Sequence, residues 1–276
     1  MLRLVLLAAT LAAVLSVQPA AAATPHRIVS LSPTATESLF AIGAGKQVVA
    51  VDDQSDYPKR APKTTLSGYT PNVEAIAGYR PDLVVLSGDA NDVVSGLHKL
   101  GIRVLVQPAA KDLAGAYAEI KQLGAFTGHQ KGAAALVTRM RKRIAQAVAS
   151  VPKRRLLVYH ELDPTYYSAT SKTFIGRIYK LFGLRNIADA ADSSASGYPQ
   201  LSAEYILAAN PGLIVLADTR CCGQSAVTVA SRPGWGGLAA VRNHRVVGID
   251  DSVASRWGPR VVSFVQSVAK SLRRKR

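Results

Sequence analysis

The chain has 276 residues, of which 48% are hydrophobic and 19% are charged. This composition is typical of a globular protein long enough for two cores, and it excludes an intrinsically disordered chain. The net charge is +16, but the basic clusters are not accompanied by a nucleic-acid-binding module or by stacking aromatics, so we expect no nucleic-acid partner. We attribute the positive charge to a solvated surface or to attraction to an anionic cell envelope.

Residues 1–23 have the layout of a secretory signal peptide. Arg3 precedes an apolar run over residues 4–17, and small residues at 21–23 form a cleavage site that would leave Thr24 as the first mature residue. The alternative, an uncleaved anchor, is disfavoured because the run is shorter than a membrane span. No cysteine lies near the site, so we expect a periplasmic or otherwise exported protein without a lipid anchor.

The first predicted elements form βα units. Residues 27–31 read as a strand that leads into a helix, with a Ser or Thr ahead of Glu37 as its N-cap and Gly43 and Gly45 as its stop. Ser32 would therefore lie at the carboxyl end of a strand, where open α/β sheets bind ligands. Val48–Val51 is predicted as the second strand.

A sequence repeat organises the rest of the chain. Residues 71–86, PNVEAIAGYRPDLVVL, recur as residues 200–216, QLSAEYILAANPGLIVL, with Glu74 and Glu204 at the same register. Each copy reads as a helix capped by Asn72 or Ser202, a Pro-containing turn and a buried strand. The repeat predicts two similar lobes; the alternative is a chance likeness between two ordinary αβ units.

A long helical region lies midway along the mature chain. Residues 112–123 are predicted as a helix broken near Gly124 and Gly128, and residues 130–150 as a second helix with Met140 packed in the core. We therefore predict an α/β fold of two Rossmann-like lobes, residues 24–125 and 152–276, joined by a rigid helix within residues 126–151, with the ligand cleft between the lobes.

Polar and aromatic side chains gather at the predicted strand exits of both lobes. Facing loops of this composition suit a large planar or amphipathic ligand. For any one of these residues taken alone, ordinary loop packing is the alternative. The candidates are Gln54, Tyr57, Tyr69, Tyr166, Tyr167, Tyr198, Arg256 and Trp257.

Catalytic and metal sites are not predicted. His160 with Glu161, or Ser32 with Glu37, could be grouped as reactive pairs, but neither stands in a recognisable catalytic order. We expect His160 to be a polar residue at a strand end. Cys221 and Cys222 are adjacent and could form a disulfide with each other, stay reduced or link to another molecule.

Ordered motifs along the mature chain resemble one protein family. RIVSLSPTATESLFAIGAGKQVVAV, SDYP, NVEAIAGYRPDLVV, LSAEYILAANPGLIVL and RWGPRVV are similar to motifs of the substrate-binding proteins of ABC importers for vitamin B12, haem and iron-siderophores. The resemblance implies two lobes joined by one long helix that move little on binding. It also implies a non-enzymatic, cofactor-free monomer. In that family a glutamate on each lobe contacts the membrane permease subunits, a role that falls here on Glu74 and Glu204. The alternative is that both merely favour their helix dipoles.

The ligand implied by the resemblance is a corrinoid. SDYP and YPQLSAE are most similar to the cobalamin-binding branch, in which Tyr198 and Tyr69 stand at or near positions of tryptophans that flank the corrin. Arg256 matches an arginine near the ligand, and Asp251 is a looser match. The alternatives are haem, with Tyr167, Tyr69 or His160 as axial ligand, and a ferric siderophore held by Arg256 and Arg260. An exported hydrolase is a more distant alternative.

Overall fold

The computed structural model describes residues 23–153 and 155–273. The predicted signal peptide lies outside these residues except for Ala23. The described chain forms two α/β lobes, each built on a four-stranded parallel sheet, as predicted. Among the described residues, none of the helices has the length and hydropathy needed to cross a bilayer.

The N-terminal lobe alternates strands and helices along residues 28–127. Its sheet has the order β2-β1-β3-β4, and its strands are almost wholly apolar because helices cover both faces. The elements are β1 (Ile28–Leu31), α1 (Pro33–Ile42), β2 (Val48–Val51), α2 (Val73–Ala77), β3 (Leu83–Leu86), α3 (Val93–Lys99), β4 (Arg103–Val106) and α4 (Leu113–Thr127). The 20-residue helix α5 (Gln130–Ala149) then leads to the second lobe.

The C-terminal lobe repeats this plan, with the sheet order β6-β5-β7-β8. Its elements are β5 (Leu157–Glu161), α6 (Phe174–Leu181), β6 (Arg185–Asn186), α7 (Ala203–Ala209), β7 (Leu213–Leu216), α8 (Ala226–Ala230), α9 (Ala239–Arg242), β8 (Val246–Gly248), α10 (Asp251–Ala254) and α11 (Val261–Arg273). The short elements β6, α8, α9 and α10 lie where the sequence predicts loops or leaves the chain unassigned. Two to five residues are too few for a periodic apolar pattern.

The two copies of the sequence repeat fold into equivalent elements. One becomes α2 and β3, the other α7 and β7, and both strands occupy the third position of their sheets. The predicted caps are present, since Asn72 accepts the N–H of Ala75 at 2.8 Å and Ser202 accepts that of Tyr205 at 3.1 Å. The prediction of two similar lobes is therefore confirmed.

One apolar core runs through both lobes. It covers one face of each sheet and contains residues of α1, α4, α5, α6 and α11, including Met140, which is 2% exposed. Separate cores cover the opposite faces, one with α2 and α3 and the other with α7 and α8. Alternation along β3 shows the division, because Leu83 and Val85 face the shared core whereas Val84 and Leu86 face the outer one. The lobes are thus joined by packing as well as by the chain.

Two glycines lie where α5 packs closely against α4 and α1. The predicted break at Gly124 is wrong, because α4 continues through it to Thr127 and ends at Gly128, which has a φ of +76°. A Cβ on Gly124 would lie 2.5 Å from Cβ of Ala133 on α5, and one on Gly132 would lie 2.0 Å from the carbonyl oxygen of Ile42 on α1. Both glycines let α5 approach its neighbours closely.

Candidate binding cleft between the lobes

The carboxyl edge of the N-terminal sheet opens into a cavity of about 570 Å³. Every strand exit contributes to its wall: Ser32 follows β1, Asp52 follows β2, Ser87 follows β3, and Ala109 lies shortly after β4. The opposite wall is formed by α10 and the loop behind it. This is the place at which open parallel sheets bind ligands.

A second cavity of about 420 Å³ adjoins the first and shares Ala109, Ser255 and Trp257 with it. Its other walls come from the loop after β4, the start of α6 and residues 195–198. We call the two cavities and their lining residues the cleft. It lies between the lobes, where the resemblance places the ligand.

Seven of the ten predicted ligand-binding residues line the cleft. Tyr69 and Tyr198 leave 81% and 48% of their surface exposed, so both offer aromatic area that a ligand could cover. The seven are Ser32, Gln54, Tyr69, Tyr198, Asp251, Arg256 and Trp257.

The structure places the other three predicted residues outside this lining. Tyr57 packs beneath the Arg260 guanidinium, 4.5 Å from it, in a separate groove beside α5. Tyr166 stacks on Trp235 with ring centroids 5.7 Å apart, within the outer core of its lobe. Tyr167 is 41% exposed but is not part of the cleft lining; its carbonyl accepts the N–H of Leu162 at 2.9 Å.

Asp52 is a cleft residue that the sequence analysis missed. Its side chain is buried, burial raises its pKa, and Ser55 partly opposes that shift. Its Oδ1 has no hydrogen-bond partner among the described residues. A protonated carboxyl there could donate a hydrogen bond to a ligand oxygen. Its place directly after a predicted strand was the available signal.

Arg256 lines the cleft, but its hydrogen bonds go to the protein. Nη1 donates to Glu37 at 3.0 Å and to Asp56 at 2.8 Å, and Nη2 donates to the carbonyl of Gln54 at 2.8 Å. Burial tends to raise the pKa of Asp56, but the hydrogen bond and charge of Arg256 lower it below its usual value. The guanidinium therefore joins the lobes instead of presenting a free charge to a ligand.

Glu37 also receives a two-pronged contact from Arg260, at 3.0 and 2.6 Å. The Glu37 side chain is 1% exposed. We call Glu37, Asp56, Arg256 and Arg260 the interlobe clasp. The sequence analysis missed Glu37 as a partner of these arginines, although a lone glutamate in the otherwise uncharged α1 was a usable signal.

Trp257 makes a second polar link between the lobes. Its Nε1 donates to Oε2 of Glu119 on α4 at 2.9 Å. Burial raises the pKa of Glu119 to about 7, although the Trp257 hydrogen bond opposes the shift. The indole is therefore held in place at the junction of the two cavities.

Asp251 anchors a neighbouring loop. Its carboxylate accepts the N–H groups of Arg220 at 3.0 Å and Cys221 at 2.8 Å. Burial would raise the pKa of Asp251, but these donors lower it. Cys221 and Cys222 form a disulfide with each other, one of the three states that the sequence left open.

His160 is buried in the C-terminal lobe and does not line the cleft. Its Nδ1 lies 2.6 Å from the Tyr179 hydroxyl, and burial lowers its pKa to about 3. It therefore lies out of reach of a haem iron in the cleft. The described ranges hold no group of three or more metal-ligating side chains.

Glu74 and Glu204 occupy matching exposed positions in the first turns of α2 and α7. Their helices lie on the outer sheet faces, opposite the shared core. The backbone N–H of Glu204 and the Ser202 hydroxyl lower the pKa of Glu204. Each lobe thus presents one carboxylate at an equivalent place.

Comparison with known proteins agrees with this architecture. A Bacillus subtilis protein named as an uncharacterized ABC transporter substrate-binding lipoprotein, YvrC, is 31% identical over 90% of this chain and 80% of its own length. A protein of Halobacterium salinarum strain R1, named as cobalamin-binding, is 32% identical over 90% of this chain and 69% of its own.

The solved structure of the periplasmic vitamin B12 binding protein BtuF of Vibrio cholerae matches with a TM-score of 0.73 and 26% identity. The match covers 90% of this chain and 96% of that one. The family model described as periplasmic binding protein matches residues 28–253. Two sheets joined by a long helix, an interlobe cleft and a match over most of the chain lead to one conclusion: this chain belongs to the periplasmic binding protein family.

Proposed function

We propose that this protein captures a corrinoid, vitamin B12, in the cleft and delivers it to an ABC importer. The observation that carries the proposal is the cleft itself, two adjoining cavities between the lobes with exposed Tyr69 and Tyr198 on their walls. Aromatic walls with a few polar groups suit a large ligand that is bound mainly by burial of apolar surface.

The charge of the larger cavity favours a ligand close to neutral. Arg256 is neutralised by Glu37 and Asp56, and Asp251 is held by backbone N–H groups. A ferric siderophore with several negative charges would be better matched by arginines without partners. Asp52 and the neighbouring serines instead offer hydrogen bonds suited to the amide groups of a corrinoid.

Delivery would use the matching carboxylates of the two lobes. In the proposal Glu74 and Glu204 dock on arginines of the two permease subunits, and the protein acts as an exported monomer without catalysis. The proposed mature protein consists of an N-terminal lobe (residues 24–125), a connecting helix (residues 126–151) and a C-terminal lobe (residues 152–276). Residues 1–23 would be removed as a signal peptide, without attachment of a lipid anchor.

Haem is the second candidate, because Tyr198 shares the smaller cavity with Lys111 and Lys172. A tyrosine could serve as an axial ligand while the lysines meet the propionates. Burial raises the pKa of Tyr198, which favours the neutral phenol. The corrinoid is preferred because the larger cavity offers a second exposed tyrosine, Tyr69, and its one arginine, Arg256, is already paired with carboxylates.

Calorimetric titration of the purified protein with cyanocobalamin, haemin and a ferric siderophore tests the assignment. We expect saturable one-to-one binding of cyanocobalamin alone. A signal from haemin or the siderophore without one from cyanocobalamin would move the ligand assignment while keeping the transport role. The absence of a binding signal with all three ligands would contradict the proposed function.

A further inference from the structure

A second concave site lies outside the cleft, at the junction of the lobes. It is a groove of about 360 Å³ between α1, α5, the loop at residues 57–60 and the start of α11. Its lining contains four arginines, Arg60, Arg139, Arg143 and Arg260, against one carboxylate, Glu37. We call it the hinge groove.

Three of these arginines have no acidic partner. Within residues 23–153 and 155–273, the ion pairs involve neither Arg60 nor Arg139 nor Arg143. Arg139 and Arg143 are four residues apart on α5 and therefore project from the same helix face. Uncompensated guanidinium groups converging on one concavity attract an anion.

Two of the four arginines, Arg60 and Arg260, are partly ordered by contacts with the protein. Arg260 is held by Glu37 and packs 4.5 Å from the centre of the Tyr57 ring. Arg60 lies 5.2 Å from the centre of the Phe40 ring. Guanidinium forks that are already oriented bind phosphate oxygens with two parallel hydrogen bonds at a lower entropic cost.

The surroundings increase the positive potential of the groove. Between Glu119 and Glu161 the sequence carries nine Lys or Arg residues and no Asp or Glu. The middle of this segment is α5, whose Lys131, Arg139, Lys142 and Arg143 are exposed. An anion near the groove therefore meets no competing carboxylate on this helix.

The hinge groove is distinct from the surfaces assigned above. The cleft lining includes neither Arg139 nor Arg143. Glu74 and Glu204 lie on helices that cover the opposite sheet faces from α5. A ligand could therefore occupy the groove while the cleft and the docking carboxylates stay free.

We propose that the hinge groove binds a phosphate group through Arg60, Arg139, Arg143 and Arg260. The phosphate can belong to a free phosphorylated solute or to the headgroup of an anionic phospholipid. Both sources offer the same tetrahedral oxyanion to the same guanidinium groups.

Binding of a free phosphorylated solute and binding of a lipid headgroup are measured separately. Pyrophosphate is titrated calorimetrically into the purified protein, and cosedimentation is measured with phosphatidylglycerol vesicles and with phosphatidylcholine vesicles. We expect the R139Q/R143Q variant to bind at least tenfold more weakly in whichever arm gives binding to the wild type, with an unchanged melting temperature. Binding of pyrophosphate identifies a free solute, and binding only to phosphatidylglycerol identifies a lipid headgroup.

The matched control is K99Q/K121Q, which removes two exposed positive charges outside the groove. We expect it to bind like the wild type. Equal losses in both variants would reduce the effect to net charge and overturn the proposal, as would an absence of binding in both arms. Cyanocobalamin titration of R139Q/R143Q should be unchanged, so failure here is distinguishable from failure of the proposed transport function.

Discussion

Arg256 shows how the surroundings of a single residue determine its role. The family resemblance predicts that Arg256 lies near the ligand. It does line the cleft, but Glu37, Asp56 and the Gln54 carbonyl already accept hydrogen bonds from its guanidinium. The aromatic residues of the cleft differ in this respect, because Tyr69 and Tyr198 remain substantially exposed. Ligand affinity is therefore expected to depend on them more than on Arg256.

Replacement Tyr198→Ala should weaken cyanocobalamin binding by about 1–3 kcal/mol, because the ring would no longer pack on the ligand. The control is Tyr167→Ala, which removes a side chain of similar exposure, 41% against 48%, from outside the cleft. Titration calorimetry measures both. Equal affinity of the two variants would remove Tyr198 from the site.

The raised pKa of Glu119 predicts that the stability of the protein depends on pH. Burial raises its pKa to about 7 from an ordinary value of 4.5, so between these values the folded protein binds more protons than the unfolded chain. Its contribution to stability is therefore complete below pH 4.5 and is lost as the pH rises through 7. Melting temperatures at pH 5 and pH 8 should differ less in E119Q than in the wild type.

The matching amide is the appropriate replacement, since the Gln oxygen can still accept the Trp257 N–H. Asp218, whose pKa is also raised to about 7 by burial and by Glu161, titrates in both proteins and cancels in the comparison. The same pH difference in E119Q and the wild type would show that Glu119 is already ionised at pH 5.

At the scale of elements, α5 determines how the lobes meet. Its apolar residues were recognisable from their spacing, and Leu136, Met140 and Ile144 are buried as expected. Its distance from α1 and α4 depends instead on Gly132 and Gly124, where backbone and side chains of the neighbouring helices leave no space for a Cβ. From the sequence pattern alone, Gly124 is predicted to break a helix and Gly132 is an ordinary helix position.

The substitution Gly132→Ala should destabilise the protein by about 1–3 kcal/mol, because the added methyl group would force α5 away from Ile42. Urea unfolding measures the change. The control Gly115→Ala lies in α4, where a Cβ would meet Ala110 at an ordinary 3.5 Å, and it should be neutral or stabilising by up to about 1 kcal/mol. Similar effects of the two substitutions would contradict the close-packing argument.

At the scale of the whole molecule, a shared core and the interlobe clasp hold the lobes together. Glu37 lies on α1 of the N-terminal lobe, whereas Arg256 and Arg260 lie in the loop just before α11, 219 and 223 residues later in the chain. Such a junction agrees with the small lobe movement that the family resemblance implies.

Glu37→Gln should cost about 2–3 kcal/mol of unfolding free energy, because it leaves two largely buried guanidinium groups without their shared carboxylate. The control Asp112→Asn removes an exposed ion pair with Arg177 at 3.6 Å while retaining a good N-cap, and it should cost less than about 0.5 kcal/mol. Urea denaturation distinguishes them. A loss below about 0.5 kcal/mol in E37Q would show that the clasp is not a stabilising junction.

The variant E74R/E204R should bind cyanocobalamin normally and fail to support cargo uptake in cells that carry the importer. Reversed charge on both exposed carboxylates would repel permease arginines without disturbing the cleft. Each single reversal should lose part of the uptake. Normal uptake by the double variant would rule out the docking assignment.

The sequence by itself determined the secondary elements that dominate the fold and their arrangement in two lobes. The constant offset between Glu74 and Glu204, the caps at Asn72 and Ser202 and the apolar strands could be predicted because they depend on residues close together in the chain. The strand exits also located most of the cleft, since parallel strands deliver their carboxyl ends to one edge.

Only the tertiary structure decided which polar groups meet and which aromatics reach the cleft. Trp257 and Glu119 are 138 residues apart, and their contact exists because the lobes pack against each other. Tyr57 and Tyr166 look equivalent to Tyr69 and Tyr198 in sequence, yet Arg260 covers one and Trp235 the other. Side-chain direction in loops is determined by long-range packing, which local patterns of hydrophobicity and turn formers do not encode.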